Sequence, residues 1–207
     1  MGACASADNG NGNSTADYTR VDNGIYPARC IQVVELGIHA DTDMKGKPTD
    51  RKLIMLIWEL TELMEDGRPF TVNWKGTNSL GEKANLRKFL TSWRGNRQFT
   101  PEELHHFELK HILDKCCQVE VAKITKNGKD YNNVKNVVAL PKLFNMPDRV
   151  NELVDFGIND IGTPEFEKLW PWVQKLVKES YEATGKLPLA AAGETPAEPF
   201  DGDEIPF

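Results

Sequence analysis

The chain has 207 residues, 40% of them hydrophobic and 27% charged, which fits one globular domain with extensions. No run approaches the roughly 18 apolar residues that a membrane span needs, and no basic stretch followed by an apolar run opens the chain as a secretory signal. The net charge of −6 is segregated: residues 1–23 hold one Arg against three Asp, residues 24–142 hold 19 Lys and Arg against 15 acids, and residues 143–207 hold 5 against 13.

Residues 1–23 are rich in Gly, Asn, Ser and Ala and predict a disordered N-terminal tail. Its Met1-Gly2 start matches a short lipidation pattern, but nothing else in the chain speaks for a membrane. "GIYPARCIQVVELGIH" then predicts a long strand, with a bend or bulge near Cys30 because neither parity is purely apolar. The polar "ADTDMKGKPTDR" predicts a loop, "KLIMLIWELTE" a second strand and "FTVNWKGTNS" a third, the last two joined at Asp66-Gly67.

Ser79 and Glu82 have the spacing of a capping box opening a helix through Trp93, which Gly95 stops. Thr100-Pro101-Glu102-Glu103 opens a second helix over "ELHHFELKHILDK". "CCQVEVAKIT" and "YNNVKNVVAL" follow as two strands joined at Asn127-Gly128. Three strands, a helical insert and two strands is the order of an OB-fold, a five-stranded Greek-key barrel, although other α+β domains share it. The expected fold is therefore mainly β, with this domain at 24–142. An acidic helical extension follows at 143–184, whose helix Pro171 kinks or splits. Residues 185–207 read as a disordered linker with an acidic tip.

In an OB barrel the usual binding face is strands 2 and 3, flanked by the loops joining strands 1–2 and 4–5. Those two loops supply Lys45, Lys47, Arg51, Lys52, Lys126 and Lys129, with Tyr131 just after the second and Lys75 on strand 3. Lysines on loops suit a repeated phosphate backbone, which asks for charge more than geometry. A denser basic run from Arg68 to Arg97 includes Arg87, Arg94 and Arg97 and is interleaved with Phe70, Trp74, Phe89, Trp93 and Phe99. Unpaired bases stack on aromatic rings, so this mixture favours single-stranded over duplex nucleic acid. Trp58 reads as core, Phe89 and Trp93 as a seal between helix and barrel, and Trp74 and Tyr131 as the stacking candidates. Lysines also favour loops for solubility alone, and Asp41, Asp43, Asp50 and Asp130 partly cancel them.

Four cysteines without a CxxC, and histidines without carboxylate or thiolate companions at ligand spacing, predict no metal site and no disulfide framework. No catalytic residue and no cofactor are expected, since the sequence holds neither a phosphate-cradling Gly loop nor a nucleophile with its base.

The closing "DGDEIPF" resembles the C-terminal tip of the bacterial single-stranded DNA-binding (SSB) family. That resemblance implies recruitment of replication and repair proteins, with the roles falling on Asp201, Asp203, Glu204, Ile205, Pro206 and Phe207. Carboxylates and a terminal carboxylate meet basic groups while the Pro-Phe end enters a pocket. "WELTELMEDGRPFTV", "SLGEKANLRKFLTSWRG", "FTPEEL" and "KNGKDYNNV" resemble phage-encoded OB-fold proteins of the replication type. The expectation is a non-enzymatic protein that coats single-stranded DNA in the cytoplasm of a bacterial host, with no membrane partner and with homo-oligomerisation left open. A mediator working through protein contacts and a small DNA-processing nuclease are the alternatives.

Overall fold

The computed structural model describes residues 20–189 except 44 and 127, and of Lys126 and Lys129 the backbone alone. The first three strands are β1 (Gly24–Thr42), β2 (Pro48–Leu63) and β3 (Pro69–Thr77). The insert holds α1 (Asn85–Trp93), α2 (Pro101–His106) and a 3-10 turn at Leu109–Ile112. Then come β4 (Cys116–Lys126), β5 (Lys129–Ala139) and a short β6 (Val154–Phe156). The short helices α3 (Pro164–Glu167), α4 (Pro171–Lys178) and α5 (Tyr181–Thr184) follow. The strands pair antiparallel in the order β3-β2-β1-β4-β5, and β6 adds parallel to β1. β3 and β5, the ends of that order, also come into contact.

β1 is the spine, because it pairs with β2, β4 and β6. Its register against β2 shifts between Cys30 and Gln32 and again between Glu35 and Gly37. Each bulge re-aims the residues that follow it. Ala28, Cys30 and Val33 therefore face one core, and Ile31, Val34 and Leu36 face another. β1 is thus buried on both faces and carries apolar residues on both parities. Because the bulges switch which parity faces which core, neither parity of this segment is purely apolar.

The first core lies under α1, where Leu86, Phe89, Leu90 and Trp93 cover Ile54, Leu56, Trp58, Val72 and Val119. The second lies on the opposite face, where Phe156, Phe166, Leu169, Val173 and Val177 cover Met55 and Ile57 of β2. Residues beyond 143 thus complete the body. Polar pins fix them: Arg29 Nη2 donates to the Pro147 carbonyl at 2.9 Å, and Glu182 Oε2 accepts the Ile38 amide at 2.8 Å. Tyr181 donates its hydroxyl to Asp50 Oδ1 at 3.0 Å.

Several expectations are corrected. The stretch read as a loop between strands 1 and 2 is mostly hairpin, since Ala40 pairs Asp50 and Thr42 pairs Pro48, and Asp43 closes the turn by accepting the amides of Lys45 and Lys47. α1 starts at Asn85 on an Ala84 cap, not at Ser79, whose hydroxyl accepts from Gly81 N at 3.1 Å and so is spent in a turn. The second helix stops at His106 and continues as a 3-10 turn. Its expected start at Thr100-Pro101 forms, and Glu103 closes a capping box with Thr100 there. Pro171 splits the C-terminal helix by starting α4. Val21, expected in the N-terminal tail, is buried in the first core, and the Leu189 amide, expected in the C-terminal linker, donates to Asp50 Oδ2. The rest of both tails lies outside the described residues. Among the described residues no helix is long and apolar enough to cross a membrane.

Candidate nucleic-acid interface

The register decides which part of the sheet's outer face stays open. On β2 the outward residues Met55 and Ile57 lie beneath the C-terminal segment, at 2% and 0% exposure. Glu59, next in that row, is also buried and accepts the amides of Val150 and Asn151. Their partners on β3 are Lys75, Asn73 and Thr71. Asn73 and Lys75 remain exposed. The C-terminal segment therefore roofs the β1–β2 half of the outer face and leaves the β3 row to solvent.

Lys75 borders a groove of about 360 Å³ with His39, Asp41, Arg51, Leu53 and Thr77. Arg51 faces His39 across the β1–β2 ladder. Its Nε pairs with Asp41 Oδ2 at 2.8 Å, and both side chains remain more than a third exposed. His39 Nε2 lies 2.9 Å from the Leu36 carbonyl, which anchors the ring at the groove wall. Lys75 has no ion pair among the described residues. Nor do Lys45 and Lys47, both exposed on the hairpin turn beyond the groove. Unpaired cations can displace counterions on a phosphate backbone without first giving up a carboxylate.

The other expected residues are distributed more widely. Lys52 is on β2, not in a loop, and its Nζ pairs with Glu35 Oε1 at 3.1 Å. Trp74 lies half-buried at the rim of the first core, edge-on to Phe89 with ring centroids 5.0 Å apart. Its indole folds across Gly76, where an added Cβ would come within 2.1 Å of the ring. Tyr131 is the more open ring, 44% exposed, with the Arg20 guanidinium 6.0 Å from its centroid. It sits on β5 opposite Ile124, just past the two-residue β4–β5 turn. Lys126 and Lys129 pair across that turn, and their side chains lie outside the described residues. By register the β4–β5 turn runs past the Gly24 end of β1, whereas the β1–β2 turn is at the Thr42 end.

Arg87, Arg94 and Arg97 belong to the insert. Arg87 Nη1 donates to the Leu80 carbonyl at 3.3 Å. Arg94 stacks on Phe99 at 4.3 Å, and both it and Arg97 donate to Glu103 Oε1. The Thr100 amide and then the Arg94 side chain hold the Glu103 carboxyl below the usual glutamate range. These two arginines fasten α1 to α2. The tip residues Asp201, Asp203, Glu204, Ile205, Pro206 and Phe207 lie outside the described residues.

Sequence reasoning does not place His39 at this groove. Its signal is the hairpin alternation that puts it opposite Arg51, which is legible only once "ADTDMKGKPTDR" is recognised as a strand pair. Among the described residues no group of three or more His, Cys, Asp or Glu could hold a metal ion. No protein-family model and no curated protein matches this chain.

Proposed function

We propose that the body is an OB-type barrel that binds single-stranded DNA, of the replication type that phages encode. The observation that carries this reading is the uncovered β3 row. Asn73 and Lys75 stand in solvent beside the Arg51 groove, while the neighbouring β1–β2 part of the outer face is roofed. A narrow row with unpaired lysines at its hairpin end suits one flexible phosphate strand, and the exposed ring of Tyr131 offers a stacking surface. The strand order β3-β2-β1-β4-β5 with an insert before β4 supports the barrel reading. The SSB-like "DGDEIPF" supports a second role, the recruitment of replication or repair proteins.

Fluorescence anisotropy with labelled oligo(dT) and a duplex of equal length, each at two salt concentrations, tests the reading. Tighter binding of oligo(dT) that weakens steeply with salt supports it. Equal affinity for the two forms at both salts refutes it.

A further inference from the structure

A cavity of about 590 Å³ opens between α1, α2 and the neighbouring ends of β4 and β5. Leu90, Trp93 and Ile112 line it, each no more than 9% exposed. Phe107 and Leu140 add apolar wall. The volume is within the ~300–1,000 Å³ common for sites that enclose a small ligand.

Its charge is one-sided. Arg94, Arg97 and Lys115 stand at the cavity against Glu103 alone. Glu103 Oε1 serves both guanidiniums, and among the described residues Arg94 Nη1 is buried without a hydrogen-bond partner and Lys115 has no ion pair. An apolar floor under spare cations fits a short peptide with large apolar residues beside carboxylates.

This chain carries such a peptide. Asp201–Phe207 holds Asp201, Asp203 and Glu204 next to Ile205, Pro206 and Phe207, and no cation. We propose that this cavity is a docking pocket for Asp201–Phe207 of this same protein, with Phe207 over Leu90 and Trp93 and the carboxylates on Arg97 and Lys115. The segment can reach it. The 18 residues of 190–207 span at most about 60 Å when extended. They depart from Leu189, which is tied to Asp50 opposite Ala40 of β1, while Cys116 at the cavity pairs Arg29. That stretch of β1 is at most about 37 Å long. Docking there sequesters the tip from other proteins and leaves the β3 row open, and it does not depend on DNA binding.

Photo-crosslinking tests it in the full chain, with benzoyl-phenylalanine in place of Phe207 and adducts mapped by mass spectrometry. Adducts concentrated on Leu90, Phe107 and Leu140 are expected, and an adduct within one chain or between two copies supports the proposal equally. Charge reversal at the exposed rim, Arg97→Glu with Lys115→Glu, should reduce them several-fold. Asp203→Lys with Glu204→Lys should do the same without touching the folded body, which guards against a rim variant that fails to fold. Adducts scattered over the surface, adducts centred on the β3 row, or yields indifferent to both charge reversals overturn it. So does oligo(dT) crosslinking into the cavity where the tip does not.

Discussion

Glu59 on β2 and Asn151 in the C-terminal segment are joined twice, the backbone N–H donating to Oε2 at 2.7 Å and the side-chain Nδ2 donating to the same oxygen at 2.6 Å. The Val150 amide donates to Oε1 at 3.0 Å. A buried carboxylate here ends the covered outer row of Met55 and Ile57, because its partners are backbone amides that must be satisfied where the chain turns back onto the sheet.

Glu59→Ala removes that acceptor and strands the amides. The expected loss of stability is about 2–3 kcal/mol by urea denaturation, with Glu59→Gln losing less because it keeps one oxygen. A Glu59→Ala protein as stable as the parent refutes the pinning role.

Gly37 tests the second bulge. Its φ is +83°, and an added Cβ would come within 2.6 Å of Glu182 Oε2 and 2.7 Å of Ser180 Cβ. Gly37→Ala should cost about 1–3 kcal/mol from the left-handed backbone, with the clash in addition. Adding Glu182→Ala should not restore the parent melting temperature, since the backbone strain and the Ser180 contact persist.

Lys75 and Arg94 separate the open face from the insert. Lys75→Ala should lower the salt slope of oligo(dT) binding by about one. Arg51→Ala should lower it less, because its guanidinium is shared with Asp41. Arg94→Ala should leave the slope unchanged while destabilising the fold, since Arg94 is committed to Glu103 and Phe99. The reverse pattern would put the DNA on the insert.

Glu103 makes the α1–α2 junction sensitive to acid. Its carboxyl is held below the usual range by the Thr100 amide first and Arg94 second. A depressed folded-state value means the contribution is complete above the unfolded-state carboxylate range and is lost as pH falls through the folded value. NMR titration of Glu103 should give a midpoint below that of an unfolded-chain glutamate. Arg94→Met should move the midpoint upward.

The alternation of "FTVNWKGTNS" and the Asp66-Gly67 turn are readable because they are local. Strand alternation and a glycine at positive φ need no distant partner, and Gly67 has φ of +83° as a turn of that kind requires. The same holds for the helix start at Thr100-Pro101 and for the split at Pro171. The bulge near Cys30 was legible as a broken alternation. The Ser79–Glu82 spacing misled because a capping box is a pattern of two residues, and here the hydroxyl meets a nearer amide.

A mainly β body with a helical insert, the basic charge of residues 24–142 and the closing acidic apolar peptide are all legible before any folding is considered, because composition and short-range periodicity are properties of the chain alone. Which charges are free depends on contacts between separate elements. Arg94 and Arg97 look the same as Lys75 in a basic run, yet two converge on Glu103, nine and six residues away, and the third faces solvent. Tertiary structure also decided that β2 is buried on both faces. The cover for Met55 and Ile57 comes from Phe156 and residues beyond it, at the far end of the described sequence, and no local pattern records a partner at that distance.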